Sequence, residues 1–600
     1  MSDQLTFPWT STLTAREFLL QLPDVGPWSA GRIERDQLDF KETPATTPTP
    51  PHALKEATAR LRTDIVETAV SFANARGGAI VVGVRDRASE GQDVVPGVNL
   101  DEWAPDDLRA MIHDRTSPHL LADVTVETVH ERPVVLVQVA PGSDIYGTTA
   151  GVFKHRQRDR NLPLDEPTMR ALRAARGQYD WSAETVEAGA EAVSRSALEE
   201  ASQRLRRRGS DDLAANADSD ARQFLSDTGL LDGEGRVRRA ALLLYGSESA
   251  LREHIPNWGV LLRSAPSPGS EGSVLMRRDD ARRPLVLLLD DLLDRLSVLQ
   301  RTESIRAGAE QLDLVDYPSD ALRELLANAF AHRDWEAAGT VEVLHSPDEL
   351  SISSPGALLP TLDPSRLLRA TAARNPLLTR EMARLRLAEQ AGMGFDRVYR
   401  ELARIGKPPP DVADGPRFTV TLLGGAGDAT LARYVASTLA PELRNDVDVL
   451  LLLAHLRHHR TVNASGAAPL LQRTPGEVQR VLERVQRAEV IEPTRGTARR
   501  AQPSYRLTTP AVAGLRTALQ YRTETVDSDD RKLIRHLRRN GRITNADVRD
   551  YLDCDTYTAR NRLTRLRKKG WIDFAPDSSR RGPDVVYIKL DKLDDDAPEA

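Results

Sequence analysis

The pattern of apolar and polar residues changes period several times along the chain, and each change marks an element. "LDFK" at 38–41 alternates, which predicts a strand with Leu38 and Phe40 facing one way and Asp39 and Lys41 the other. The proline-threonine run at 43–51 reads as a loop, because repeated proline fits neither a helix nor a strand interior. "HALKEATARLRTDIVETAVSFANARGG" then has the period of a helix stopped by a glycine pair. "AIVVGV" at 79–84 and "PVVLVQVA" at 133–140 are β-branched apolar runs, the mark of buried strands. Residues 1–29 form an extension, and strands mixed with helices make 30–178 an α/β domain.

Residues 179–284 read as a connector of charged helices with one small apolar strand, "AALLLYG", at 240–246. A second α/β unit covers 285–426, with a helix through "LRELLANAFAHRDW" and strands at "GTVEVLH", "ELSISSPG" and "RFTVTLLGG". Segments 445–508 and 527–592 each run helix, helix, helix and two short strands, a loosely repeated winged-helix pattern. The expected fold class is therefore α/β multidomain with C-terminal winged helix-turn-helix domains.

Composition narrows the function. A chain of 600 residues exceeds one core, so several domains are expected. A formal net charge of -6 excludes a uniformly basic coat, and any nucleic-acid surface must be a local patch. One cysteine, Cys554, excludes an intrachain disulfide framework and a cysteine-rich zinc site, and suits a reducing compartment. No apolar run approaches the ~18–20 residues that span a bilayer. A cytoplasmic location with no membrane partner is expected.

The first constellation is a carboxylate and a lysine two residues apart, Asp39 and Lys41. Such a carboxylate can hold a divalent cation while the lysine orients water or offsets phosphate charge. Asp86 follows "AIVVGV", where a neighbouring strand would end, and Glu34 joins that face if the chain turns before 39. By spacing alone a solvated edge strand is the better reading. The segments "LDFKE", "SFANARGGAIVVGVRD" and "VVPGV" resemble the divergent AlbA-type domain of the Schlafen family, and "GVFKHRQRDRNLPLDEPTMRAL" looks like its closing strand and helix. The resemblance implies an α/β domain that binds nucleic acid, with Glu34, Asp39 and Asp86 as the Mg²⁺ or Mn²⁺ ligands of a nuclease acting on RNA or DNA. The central acid is aspartate where the family usually has glutamate.

The second constellation lies on one helix. Glu324 and Asn328 are four residues apart and share a face, a spacing that suits an acid polarising water and an amide oxygen holding Mg²⁺. An amphipathic helix with exposed polar residues fits the same spacing. "RELLANAFAHRDW", "ELSISSPGALLP", "ARNPLL" and "EQAGMGFDRVYREL" stand in the order of the GHKL ATP-binding domain of histidine kinases and gyrase, and more closely resemble the C-terminal half of RecG-related regulators. The resemblance implies ATP as cofactor, with Glu324 and Asn328 at the N-box and Gly392 and Gly394 in the phosphate lid. The adenine site departs from it, since "SSPG", ending in Gly356, lacks the usual aspartate. Prolines after Gly406-Lys407 prevent a phosphate-cradling helix start, so a P-loop helicase is excluded.

The third constellation is basic. In "DRKLIRHLRRNGRITNADVRDYLDCDTYTARNRLTRLRKKGWIDFAP", Leu533, Ile534 and Leu537 fit one helix face and "GRIT" a turn. The helix "TYTARNRLTRLRKKG" offers Thr558, Arg560, Asn561, Arg562 and Arg565 to a major groove or its phosphates, and Arg580 and Arg581 stand at a wing tip. The arrangement resembles the winged helix-turn-helix of bacterial regulators. The earlier copy carries Arg480, Arg484 and Arg487, and its His455, His458 and His459 read as exposed helix histidines without a fourth metal ligand. Together these point to a DNA-binding, ATP-binding regulator in transcription control or anti-phage defence. The alternatives are a Schlafen-like nuclease, with RNA or DNA as target, and a non-catalytic subunit that binds defence proteins or a second copy of itself.

Overall fold

The computed structural model describes residues 18–19, 22–29, 37–44, 50–277, 282–307, 310–370, 372–388, 394–500, 502–515, 518–519, 529–552, 554, 556–576, 578, 585–590 and 593. The candidate residues Glu34, Gly392, Arg580 and Arg581 lie outside them. The chain forms two compact units, one of 1–298, 322–395 and 411–421, the other of 299–321, 396–410 and 422–600.

The first unit opens on a four-stranded sheet of β1 (Leu38–Lys41), β2 (Gly78–Val82), β3 (Asp123–Val129) and β4 (Arg132–Val139), in the order β1-β2-β4-β3. The β1–β2 pair is parallel and the others are antiparallel. A parallel pair needs a crossover, and α1 (Pro51–Ala73) supplies it, starting at a proline in its first turn. Ile65, Ala69 and Phe72 of α1 pack on Ile80, Val82, Val135 and Val137, with α2 (Pro105–Asp114) beside them through Leu108 and Ile112. Leu38, Phe40, Val81 and Leu136 fill the other face. Asp39 and Lys41 do alternate with Leu38 and Phe40, but their face lies beneath α1 rather than in water, and Asp39 is 5 % exposed. A hairpin of β5 (Lys154–Gln157) and β6 (Arg160–Pro163) and helix α3 (Glu166–Ala175) close the lobe.

Helices α4 (Arg195–Arg206), α5 (Asp211–Ser219), α6 (Ala221–Asp227), α7 (Arg239–Tyr245) and α8 (Glu248–His254) follow. The "AALLLYG" stretch is α7, a helix rather than the expected strand. Residues 240–245 are all fully buried, so the run is apolar all round and carries no period by which helix and strand differ.

A six-stranded sheet comes next, ordered β8-β7-β9-β10-β12-β11, of β7 (Val260–Ser264), β8 (Ser273–Met276), β9 (Val341–His345), β10 (Glu349–Pro355), β11 (Asp411–Ala413) and β12 (Arg417–Leu423). Leu262, Val343 and Ile352 stand in one register row and are buried, whereas Arg263 and Leu344 in the next row face outward. Helices α9 (Leu285–Leu299), α10 (Ser319–Ala331), α11 (Pro376–Arg384) and α12 (Gly394–Arg404) accompany the sheet. Aromatic rings stack behind the end of α10. Trp258 lies 6.1 Å from Phe330 and 5.6 Å from Trp335, and Trp335 lies 5.8 Å from Trp181.

The second unit contains a hairpin, Thr302–Ala307 with Glu310–Val315, and two helical modules. The first module has α13 (Val447–His458), α14 (Ala464–Leu471), α15 (Pro475–Arg487) and the paired strands β13 (Ile491–Pro493) and β14 (Tyr505–Leu507). The second has α16 (Asp529–Asn540), β15 (Arg542–Thr544), α17 (Asn545–Leu552), α18 (Thr556–Lys568), β16 (Ile572–Phe574) and β17 (Val586–Lys589). The expected turn at "GRIT" is thus a strand, because Ile543 is buried and 542–544 pair with 586–588. Leu533, Ile534 and Leu537 join Val548, Leu563 and Leu566 in one core.

Candidate functional site

Helix α10 sets one wall of a cleft within the first unit. Glu324 and Asn328, one turn apart, both line it, and Glu324 is 3 % exposed. The cleft encloses about 1020 Å³ including the solvent at its mouth, with Leu359, Leu367, Phe395, Phe418 and Val420 among its apolar walls. An apolar lining with few polar groups suits a small organic ligand. Helix α12 begins at Gly394, where a Cβ would overlap Glu324 Oε1 and lie 3.0 Å from Asn328 Nδ2. Glycine lets the start of α12 close on this acid-amide pair without moving either side chain.

The other end of the cleft holds groups that spacing did not single out. His332 is one residue past α10, about 12 Å along the helix axis from Glu324 at 1.5 Å per residue. His332 and Arg374 both line the cleft. Arg374 Nη2 donates to the Ala357 carbonyl at 2.7 Å, and Nη1 stands 3.7 Å from Asp334 Oδ2. Gly356 also lines the cleft. Its φ is +103° and a Cβ there would sit 2.6 Å from Asp334 Cβ, so the "SSPG" glycine permits a close backbone crossing. Ser354 lines the same wall.

Lys407, in the second unit, is a buried structural lysine. Its Nζ donates to the carbonyls of Asp316 at 2.5 Å and Leu423 at 2.8 Å and lies over the Tyr317 ring.

At the sheet edge of the N-terminal lobe, Asp39 meets two cations. Arg156 Nη1 donates to Asp39 Oδ2 at 2.6 Å, and Lys41 Nζ lies 2.8 Å from Oδ1. Lys41 also pairs with Asp64 of α1 at 2.7 Å. Asp64 and Arg156 were invisible to local spacing, since the crossover helix and a hairpin more than a hundred residues away deliver them. Asp86 stays exposed; partial burial pushes its carboxyl pKa up, Lys41 opposes that, and Asp39, Glu42 and Asp64 add to it. Asp39, Lys41 and Asp86 therefore share one electrostatic neighbourhood. Both Asp39 oxygens face protein cations, an environment that does not fit a divalent ion bound there. Among the described residues no group of three His, Cys, Asp or Glu side chains is placed to hold a metal.

In α18 the core side is Ala559, Leu563 and Leu566, while Tyr557, Arg560, Asn561, Thr564 and Arg565 are exposed. Thr558 and Arg562 are half-buried flanks of that face. Near the C-terminal end, Arg567 pairs with Asp573 at 3.0 Å and lies over Phe574. In the earlier module Arg484 pairs with Asp446 at 2.5 Å, and the third helix opens on a capping box of Thr474 and Glu477. Arg480 and Arg487 are exposed there. His455 stacks on His459 at 4.2 Å, and burial lowers its pKa to about 4.

Two family models match this chain. Residues 34–165 match the one described as "Schlafen, AlbA_2", and residues 339–422 the one described as "Putative ATP-dependent DNA helicase recG C-terminal". The Schlafen-type match holds the Asp39 and Asp86 neighbourhood, and the RecG-type match begins just after α10 and takes in the Ser354–Gly356 wall. No curated protein sequence matches the chain. The crystal structure of the DIP2311 protein from Corynebacterium diphtheriae is similar at 23 % identity and a TM-score of 0.49, covering 80 % of this chain and 94 % of that one. No helix among the described residues is long and apolar enough to cross a membrane.

Proposed function

We propose that the protein is a nucleotide-responsive DNA-binding regulator, which takes ATP in the α10 cleft and duplex DNA on α18. The observation that carries the reading is the convergence of Glu324, Asn328 and Gly394 at one end of a largely apolar cleft. In this reading Asn328 would hold Mg²⁺ through its amide oxygen, and the ion would supply charge for the phosphates. Glu324 would orient and polarise water beside them. The RecG-type match across 339–422 supports nucleotide binding, and the Schlafen-type match across 34–165 supports a role on nucleic acid.

The module at 529–593 is read as a winged helix: three helices on a three-stranded sheet ordered β15-β17-β16, with α18 as its reading helix. The ion-paired Asp39 favours a binding role for the N-terminal lobe over a nuclease centre, since its oxygens are occupied by Arg156 and Lys41.

The test is equilibrium binding of a fluorescent ATP analogue with Mg²⁺ to the full chain and to Asn328→Ala. Saturable binding that the variant loses supports the reading. Equal binding by both proteins, or none by either, removes the cleft from it.

A further inference from the structure

Helix α18 turns about 100° per residue, so its outward face follows from the residues its core claims. Ala559, Leu563 and Leu566 point inward. Diametrically opposite them stand Tyr557, Asn561, Thr564 and Lys568, all exposed, with Tyr557 74 % open to solvent. Arg560 lies roughly 90° to one side of that line and Arg565 roughly 50° to the other. Thr564 Oγ1 donates to the Arg560 carbonyl at 2.8 Å, which turns its hydroxyl toward the helix backbone. In the first two turns the centre of the presented surface is therefore an aromatic ring and an uncharged amide, with Lys568 on the same line at the far end of the helix and arginines on the flanks.

Charge dominates affinity for phosphate, and neither the ring nor the amide carries it. Each does match a base edge in the major groove. An asparagine amide pairs bidentately with adenine N6 and N7, an arginine fork with guanine O6 and N7, and an apolar surface with the thymine methyl. All three residues fall in the first two turns, the part of a reading helix that reaches bases. Resting on the duplex-DNA reading above, we infer that α18 is sequence-specific: Asn561 takes an adenine, Arg560 a guanine in the adjoining base pair, and Tyr557 covers a thymine methyl. The ligand is a duplex with neighbouring A·T and G·C pairs in its major groove.

The experiment selects sites from a random duplex library with the full chain, Asn561→Ala and Arg560→Ala, and measures each protein on an unselected duplex. The wild-type chain enriches a motif with adjoining A·T and G·C pairs. Asn561→Ala loses the preference at the adenine alone, by roughly five- to 150-fold, the equivalent of about 1–3 kcal/mol. If the wild type and Asn561→Ala select the same motif, or the wild type binds duplex but selects none, the inference is overturned. If the wild type binds no duplex, or binds RNA instead, the DNA reading itself falls first.

Discussion

Arg156 donates to Asp39 at 2.6 Å, and both side chains are almost wholly sealed from solvent, at 1 % and 7 % exposure. The pair joins the first strand of the N-terminal sheet to a hairpin far away in sequence. Removing one partner of a buried ion pair leaves the other charge uncompensated, which costs about 3–5 kcal/mol. Asp39→Asn is therefore expected to lower the unfolding temperature markedly, as read by calorimetry on the full chain. An unchanged melting profile would show that the pair contributes nothing. Loss of an activity in this variant would not by itself mark Asp39 as catalytic.

Gly394 decides whether α12 can close on Glu324 and Asn328. Gly394→Ala places a methyl against Glu324 Oε1, and the side chains must part. Nucleotide affinity is expected to fall by at least about tenfold, or 1.4 kcal/mol, while circular dichroism stays native. Unchanged affinity would show that the acid-amide pair does not contact the ligand.

What the sequence revealed depended on how local each signal was. The strand at 38–41, the buried runs at 79–84 and 133–140, and the core positions Leu533, Leu537 and Leu563 all carry their period within a few residues. The 240–245 segment carried none, because burial on every side removes the polar half of any pattern. The Glu324–Asn328 pair was legible from one helical turn, but His332 and Arg374 reach the same cleft only through tertiary packing. Asp64 and Arg156 are likewise brought to Asp39 by a crossover and a hairpin. On α18 the charges were legible and the facing was not: Thr558 and Arg562 turn half toward the core, and Tyr557 turns out.

Burial lowers the Lys407 pKa from 10.5 to about 8, against the opposing pull of Asp316. The sign of its effect on stability is set by which state holds the proton. Below pH 8 both states are protonated and the folded chain bears the full cost of a buried charge. Between pH 8 and 10.5 the unfolded chain keeps the proton while the folded chain gives it up, so this group's contribution to stability rises with pH. The rise amounts to about 3 kcal/mol at most. Denaturant titrations of the wild type and Lys407→Met should therefore show their stability difference moving in the wild type's favour across that window. A difference independent of pH would mean the lysine titrates alike in both states.

Arg565 of α18 and Arg484 of α15 should behave differently on DNA. Arg565 is exposed, and each phosphate contact releases counterions, so log Kd depends on log salt with a slope set by the number of contacts. Arg565→Ala is expected to reduce that slope by about 1 while weakening binding alike on all sequences. Arg484, held by Asp446 in the earlier module, is already neutralised, and Arg484→Ala should leave the slope unchanged. Salt titrations of the two variants by fluorescence anisotropy on one duplex give the comparison directly. Equal loss of slope in both would place the earlier module on the DNA as well, and no loss in either would move the contact surface away from α18.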